Sequence, residues 1–506
     1  MKLLAGNGRI RLALGVLLAC LSGPLWAQSN GPITIQSLFL NQSSNAHGGN
    51  YLEANVGVLY TDNVTLTQGG TGDGIALIGL AGDTERLNAP RLDYHLNSDI
   101  ALARYFKGQY DTQPYGYLDG YGEFKILPGI FSWFARDTYN QAILNPIEPA
   151  TPDNLEGLNN FTTGPRFTLK PTLRTTIVLD GSYSYVNSSS KSPDYVNIDS
   201  QRLGADLRID RAFTNTASAY LSGSYYKVDY KDKVENTDFD YASGLAGFRF
   251  GDARTVLDVA VGYNKAHLEG TPTATFAAPI PRPLLFGARL IALPAAAAAA
   301  AAGTTADENP SGSTWQANLS RLISPTQRVA IHGLKQVSDA ANLFRVNLDQ
   351  PVPGNGQSQL ATGQPLTHRE YGATWTFDNT RTSMTLNGLY YSDHYSLTPT
   401  SDHDAWQVNA LFARQLNPSI NWDLGVLYQH DEYAFGSQHT WNGVTNLRWR
   451  VGPRIGLRFF YAHSQVSPNG YTNNQVGVIA SYALTAGAKA QDNAMHPIAP
   501  ASQPFY

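Results

Sequence analysis

Apolar and polar residues alternate with a period of two along most of this chain. The clearest case is 239–266, which reads FDYASGLAGFRF, then GDAR, then TVLDVAVGYNKA. In the first run Ala242, Gly244, Ala246, Phe248 and Phe250 share one face, and Ser243 and Arg249 share the other. In the second, Leu257, Val259, Val261 and Tyr263 alternate with Asp258, Ala260, Gly262 and Asn264. Side chains of a strand point alternately to its two faces, so each run predicts a strand with one apolar face. Gly251-Asp252-Ala253-Arg254 predicts the tight turn between them.

The pattern recurs. A first strand is expected over 51–60, with Leu52, Ala54, Val56, Val58 and Tyr60 opposing Glu53 and Asn55. Paired runs follow at 74–87 and 90–106, 114–127 and 129–139, 160–170 and 174–186, and 199–212 and 215–230. Beyond 266 they resume at 313–322 and 327–338, 368–378 and 381–392, 403–415 and 419–431, and 439–451 and 454–463, with a last run at 473–484. Connections after even-numbered runs are tight and hold Pro, Asn, Asp or Gly; those after odd-numbered runs are longer and polar. Transmembrane β-barrels show this asymmetry, and the expected fold is all-β: a single closed antiparallel transmembrane β-barrel of about 18–20 strands. In lipid the sheet must close, because an open edge leaves backbone groups unpaired.

Composition agrees. Charged residues are only 15%, hydrophobic residues 42%, and Tyr (28) and Gly (46) are abundant. No apolar run of about twenty residues is present, so the mature chain does not read as a helical membrane bundle. Lys2, Arg9 and Arg11, an apolar stretch Leu12 to Leu21 and Pro24-Leu25-Trp26-Ala27 predict an export signal over 1–27. Its loss removes three positive charges and moves the net charge from −4 to −7, which gives no reason to expect nucleic acid. Cys20, the single cysteine, sits in a loose lipobox-like context and is read as an ordinary signal residue. The remaining divisions are an N-terminal arm over 28–49, the barrel over 50–484 and a flexible tail over 485–506. A long Ala/Pro-rich loop at 267–312 contains the tract Ala295 to Ala302. Barrels of 16–18 strands leave a channel, so the arm, this loop or the tail is expected to enter the lumen and restrict flow.

With the apolar face outward, the lumen-lining candidates are Tyr117, Asp119, Tyr121, Glu123, Arg202, Asp206, Arg208, Tyr220 and Tyr226. Aromatic faces stack on sugar C–H surfaces, while carboxylates and guanidinium groups bond hydroxyls. The same mixture suits any wide polar barrel interior. Face assignment alone predicts that Val259→Arg is costly and Asp258→Asn nearly neutral. Asp393, His394, Asp402, His403, Asp404, His430, Asp431 and His439 are placed in adjacent hairpin connections, without the spacing of a structural zinc site, and are read as solvated loop residues. No metal, cofactor or catalytic residue is assigned, and no P-loop, dinucleotide or zinc-protease motif occurs.

Several local motifs carry a resemblance: Tyr60-Thr61-Asp62-Asn63-Val64, Leu127-Pro128-Gly129 followed by Phe131-Ser132-Trp133, Asp137, and Pro152-Asp153-Asn154 with Gly157, Asn159-Asn160-Phe161 and Gly164-Pro165. With these the stretch from Tyr51 to Ala266 resembles outer-membrane β-barrel porins found beside exosortase and exopolysaccharide export loci. The resemblance implies a non-enzymatic outer-membrane channel that assists export of a surface polysaccharide. The implied partners are outer-membrane lipid, the polysaccharide and periplasmic export components. A general diffusion porin, a barrel enzyme and a loop-displaying structural barrel are the other readings.

Overall fold

The computed structural model describes residues 50–143, 151–188, 197–233, 236–269, 310–339, 365–395, 402–434, 436–467 and 470–485. The expected export signal, arm, Ala tract and end of the tail lie outside the described residues.

Twenty strands form one antiparallel sheet. They are β1 (Tyr51–Thr61), β2 (Asp73–Arg86), β3 (Leu92–Tyr105), β4 (Gln113–Leu127), β5 (Phe131–Ile143), β6 (Leu155–Thr172) and β7 (Thr175–Ser188). Next come β8 (Ser200–Ala212), β9 (Ala217–Tyr230), β10 (Phe239–Gly251), β11 (Thr255–Leu268), β12 (Ser311–Ser324), β13 (Gln327–Asp339) and β14 (Pro365–Asp378). The last are β15 (Thr382–Tyr395), β16 (His403–Asn417), β17 (Ile420–Tyr433), β18 (Gly436–Arg450), β19 (Ile455–Ser467) and β20 (Thr472–Ala483). Each pairs with the next in sequence, and β1 pairs with β20 from Glu53↔Ala483 to Thr61↔Gln475, so the sheet is a closed barrel. At the seam Thr61 Oγ1 donates to Asn473 Oδ1 at 2.6 Å, and Ser481 Oγ donates to Asn55 Oδ1 at 2.7 Å.

The turns at one end owe their form to local side-chain chemistry. Asp252 Oδ1 accepts from the backbone N–H of Arg254 (2.7 Å) and Thr255 (2.6 Å). Asn379 does the same for Arg381 and Thr382, and Asn417 for Ser419. Such Asx turns replace the ladder bonds that end with the strands. In the 128–130 turn Gly129 has φ +77°, a conformation that the Cβ of other residues disfavours.

The two faces differ in chemistry. Val56, Val58, Ile78, Leu80, Ile100, Leu203, Leu221, Val261, Ile331, Val408 and Val476 are all exposed on the outer face. Aromatic residues edge this apolar band at both ends. Trp133, Phe167, Phe213, Trp422 and Trp449 lie toward the short turns, and Tyr60, Tyr263, Tyr371, Trp406 and Trp441 toward the other end. Outward residues of β18 show the sequence in one strand: Trp441, Gly443, Thr445, Leu447, Trp449. An apolar belt between two aromatic girdles matches the section of a lipid bilayer.

Candidate functional site: the barrel interior

The inward residues are largely polar and largely paired with one another. Arg166, on β6, joins two carboxylates: Nε and Nη2 each lie 2.8 Å from the Asp180 carboxylate, and Nη1 reaches Tyr121 Oη at 3.3 Å and Glu123 Oε2 at 3.5 Å. Tyr121 donates to Glu123 Oε2 at 2.7 Å, and Ser132 Oγ to Oε1 at 2.5 Å. Asp119 lies 3.4 Å from Arg136 Nε. One wall is therefore a charge-assisted network across β4 to β7.

A second network lies on β8 to β12. Tyr220 donates to Asp258 Oδ1 at 2.8 Å and accepts from Gln316 Nε2 at 2.9 Å. Arg249 donates to Asp258 Oδ2 from Nε (3.0 Å) and Nη2 (2.7 Å). Arg208 is paired with Asp210 and lies 4.0 Å from the Tyr220 ring centre. The ring rests on the bare backbone of its cross-strand partner Gly247, where a Cβ would stand 2.2 Å from Cζ. Asp258 is thus inside, as the alternation predicts, but Asp258→Asn is no longer expected to be neutral: the carboxylate holds an arginine and a phenol. Periodicity reports the face of a residue and not its partners.

All nine lumen-lining candidates fall on the inward face of their strands, but their surroundings differ. Tyr117 is fully buried in an apolar cluster. Tyr226 stacks on Tyr241, with centroids 4.6 Å apart. Tyr117, Tyr220 and Tyr226 are thus packed against protein. Arg202 is paired with Asp339 of β13, and Asp206 stands exposed inside the barrel. Arg166, Asp180, Arg249 and Asp339 carry much of the interior pairing and were not among the candidates.

Two features depart from the sequence reading. First, Asp393, His403 and Asp431 are not solvated loop residues. They are buried inside the barrel: His403 and Asp431 are the end residues of the expected runs 403–415 and 419–431, and β15 continues to Tyr395, past the expected end at 392, to include Asp393. His368 Nδ1 lies 2.6 Å from Asp393 Oδ1, His403 Nε2 3.0 Å from Asp431 Oδ1, and His332 Nε2 2.9 Å from Glu370 Oε1. Asp404, His430 and His439 also belong to strands, but on the outer face, where the two imidazoles stack with centroids 4.5 Å apart. His394 and Asp402 pair at 2.6 Å near the strand ends. Among the described residues one group has metal-ligand spacing, Asp229, Asp238 and Glu269, and Lys227 and Lys233 already bridge to Glu269 and Asp238.

Second, the interior is not polar all round. Leu59, Ile75, Leu77, Ala101, Ala103, Phe460, Ala462 and Ile479 form a buried inward cluster with Tyr105, Tyr115 and Tyr117. The signal in the sequence was the run Ile75 to Ala81, which is apolar or glycine at every position and so supplies both faces.

No protein-family model matches the chain, and no curated protein matches it. Solved structures similar in shape include the siderophore receptor PirA from Pseudomonas aeruginosa (7% identity, TM-score 0.41, covering 86% of this chain and 81% of that one). OccAB4 of Acinetobacter baumannii matches at 10% identity and TM-score 0.37, covering 87% of this chain and 99% of that one. The FrpB iron transporter from Neisseria meningitidis matches at 8% identity and TM-score 0.46, covering 91% and 86%.

Proposed function

We propose that this barrel spans a bacterial outer membrane and is a non-enzymatic channel for hydrophilic solutes. One observation carries the reading: a polar, ion-paired interior is enclosed by an apolar outer band edged with aromatics at both ends. A soluble barrel would have no use for so much outward Val, Leu and Ile. The lipid of that membrane is its first partner, reached after export and removal of residues 1–27.

The finer reading is passage of a surface polysaccharide, in concert with periplasmic export components. The residues around Pro152 to Pro165 and the hydroxyl-binding chemistry of the interior support it. The packed rings of Tyr117, Tyr220 and Tyr226 move the expected glycan contacts from stacking to hydrogen bonding, with Asp206 as an open acceptor. Conductance in planar bilayers tests both levels. A stable ionic conductance is the outcome expected of a channel, and its absence from correctly folded protein overturns that reading. Block of the current by long glycans supports polysaccharide passage. A current indifferent to glycans favours a general diffusion porin.

A further inference from the structure

We propose that the outer wall of β12 to β15 binds a phosphate group of lipopolysaccharide, a reading that rests on the membrane placement above. Lys335 and Arg369 are direct cross-strand partners on the side that Ile331 and Tyr371 present outward, near the end opposite the short turns; Lys335 is the last residue of β13 paired with β12, and beyond it Val337 and Asp339 turn in and are buried. Like charges placed directly opposite each other destabilise a sheet. Little in the row offsets them. Lys335 Nζ reaches the hydroxyl of Ser313 at 3.4 Å, and the carboxylates of that row, Asp404 and Glu432, begin two strands away beyond Ser392. An anion seated between the two cations would turn a repulsive pair into a binding pair.

The rows beneath are shaped for the rest of a lipid. Next toward mid-barrel come Gly333, Tyr371, Tyr390 and Trp406, paired in that order across β13 to β16. Trp315 leans over Gly333, where a Cβ would stand 2.9 Å from Trp315 Cη2 and 3.4 Å from Tyr371 Cδ1. The two rings meet with centroids 5.7 Å apart and form a ledge at headgroup level. One row further, Ala373 and Gly388 floor a shallow trough between Ile331 and Val408, and nothing lies within 4 Å of a Cβ placed at Gly388. Cations, then an aromatic ledge, then an apolar trough follow the order of phosphate, sugar and acyl chain in a lipid A. Barrels carry their longer loops outside, so this end meets the outer leaflet, where lipopolysaccharide is the anionic lipid.

The test is binding of purified lipopolysaccharide to the full-length barrel in detergent, read by native mass spectrometry and by the thermal midpoint. Dephosphorylated lipopolysaccharide and phosphatidylglycerol are the comparison ligands. Lys335→Gln with Arg369→Gln should weaken binding about tenfold or more. Arg369→Lys should retain it, and so should Arg321→Gln near the short turns. Equal binding by the double variant, or phosphatidylglycerol binding as well as lipopolysaccharide, overturns the proposal. Bilayer conductance separates the two levels. A barrel that conducts but ignores lipopolysaccharide loses only this site, whereas one that fails to insert loses the channel reading and this site with it.

Discussion

Arg202 and Asp339 form a bidentate ion pair, with contacts of 3.1 and 2.6 Å, although four strands of wall separate β8 from β13. Five strand steps of about 4.8 Å each would hold them far apart along the wall, but the β12–β13 ladder ends at Trp315↔Lys335, and Asp339, which shares the parity of outward Ile331, turns with the end of β13 toward β8. Val228, Tyr230, Phe239, Tyr241, Ala266 and Leu268 form one buried cluster with Val337, two residues before Asp339. The Asp339 side chain is fully buried and Arg202 nearly so. Arg202→Ala should therefore cost about 3–5 kcal/mol, because it strands a buried carboxylate. Replacing both, with Arg202→Met and Asp339→Leu, should restore most of that loss. Unfolding in urea measures the stability.

Val259 and Asp258 are neighbours in β11 on opposite faces. Val259→Arg should cost about 2–4 kcal/mol in a bilayer if it lies near the midplane, and much less in a detergent that lets the side chain reach water. Asp258→Asn should cost about 1.5–3 kcal/mol in both, because it weakens charge-assisted bonds from Arg249. Comparing unfolding in the two media separates lipid contact from interior pairing.

The contact between Gly247 and Tyr220 leaves no room for a methyl group. Gly247→Ala should cost about 1–3 kcal/mol through overpacking. In a Tyr220→Ser background the same substitution should be almost free. A double-mutant cycle checks this: additive losses would mean that the ring does not rest on Gly247 in solution.

Asp252 titrates outside the strands. The backbone N–H groups of Arg254 and Thr255 hold its carboxyl below the ordinary 3.8. A lowered folded value gives stability that is present above about pH 4 and is lost as the pH falls through the folded value. The stability gap between wild type and Asp252→Ala should narrow as the pH falls from neutral toward that range. Asp252→Asn keeps an acceptor that does not titrate, so its own gap to Asp252→Ala should stay flat.

The strands and their faces were legible in the chain because a period of two is written into each one. Val259 out and Asp258 in follow from neighbours in sequence alone. The short turns were legible for the same reason, since Asp252 and Asn379 act on residues two and three positions later. What joins distant strands was not legible. Arg202 and Asp339 stand 137 positions apart, and no local pattern reports that the end of β13 turns toward β8. The pairing of His368 with Asp393 was hidden differently. Polar residues at the end of an alternating run look like the start of a loop, until a partner on the next strand shows them buried.

The seam between the first and last strands bears on how the molecule is made. Glu53 cannot meet Ala483 until almost the whole chain has been laid down. Contacts so distant in sequence make folding slow, because the loop must close before they contribute. During that interval the edge of β1 carries Val56, Val58 and Tyr60 with unpaired backbone groups, the kind of edge that recruits other strands. The final hairpin, β19 with β20, is therefore the step on which the yield of assembled barrel should depend, and slowing it should divert chains to aggregates even where the finished barrel is stable.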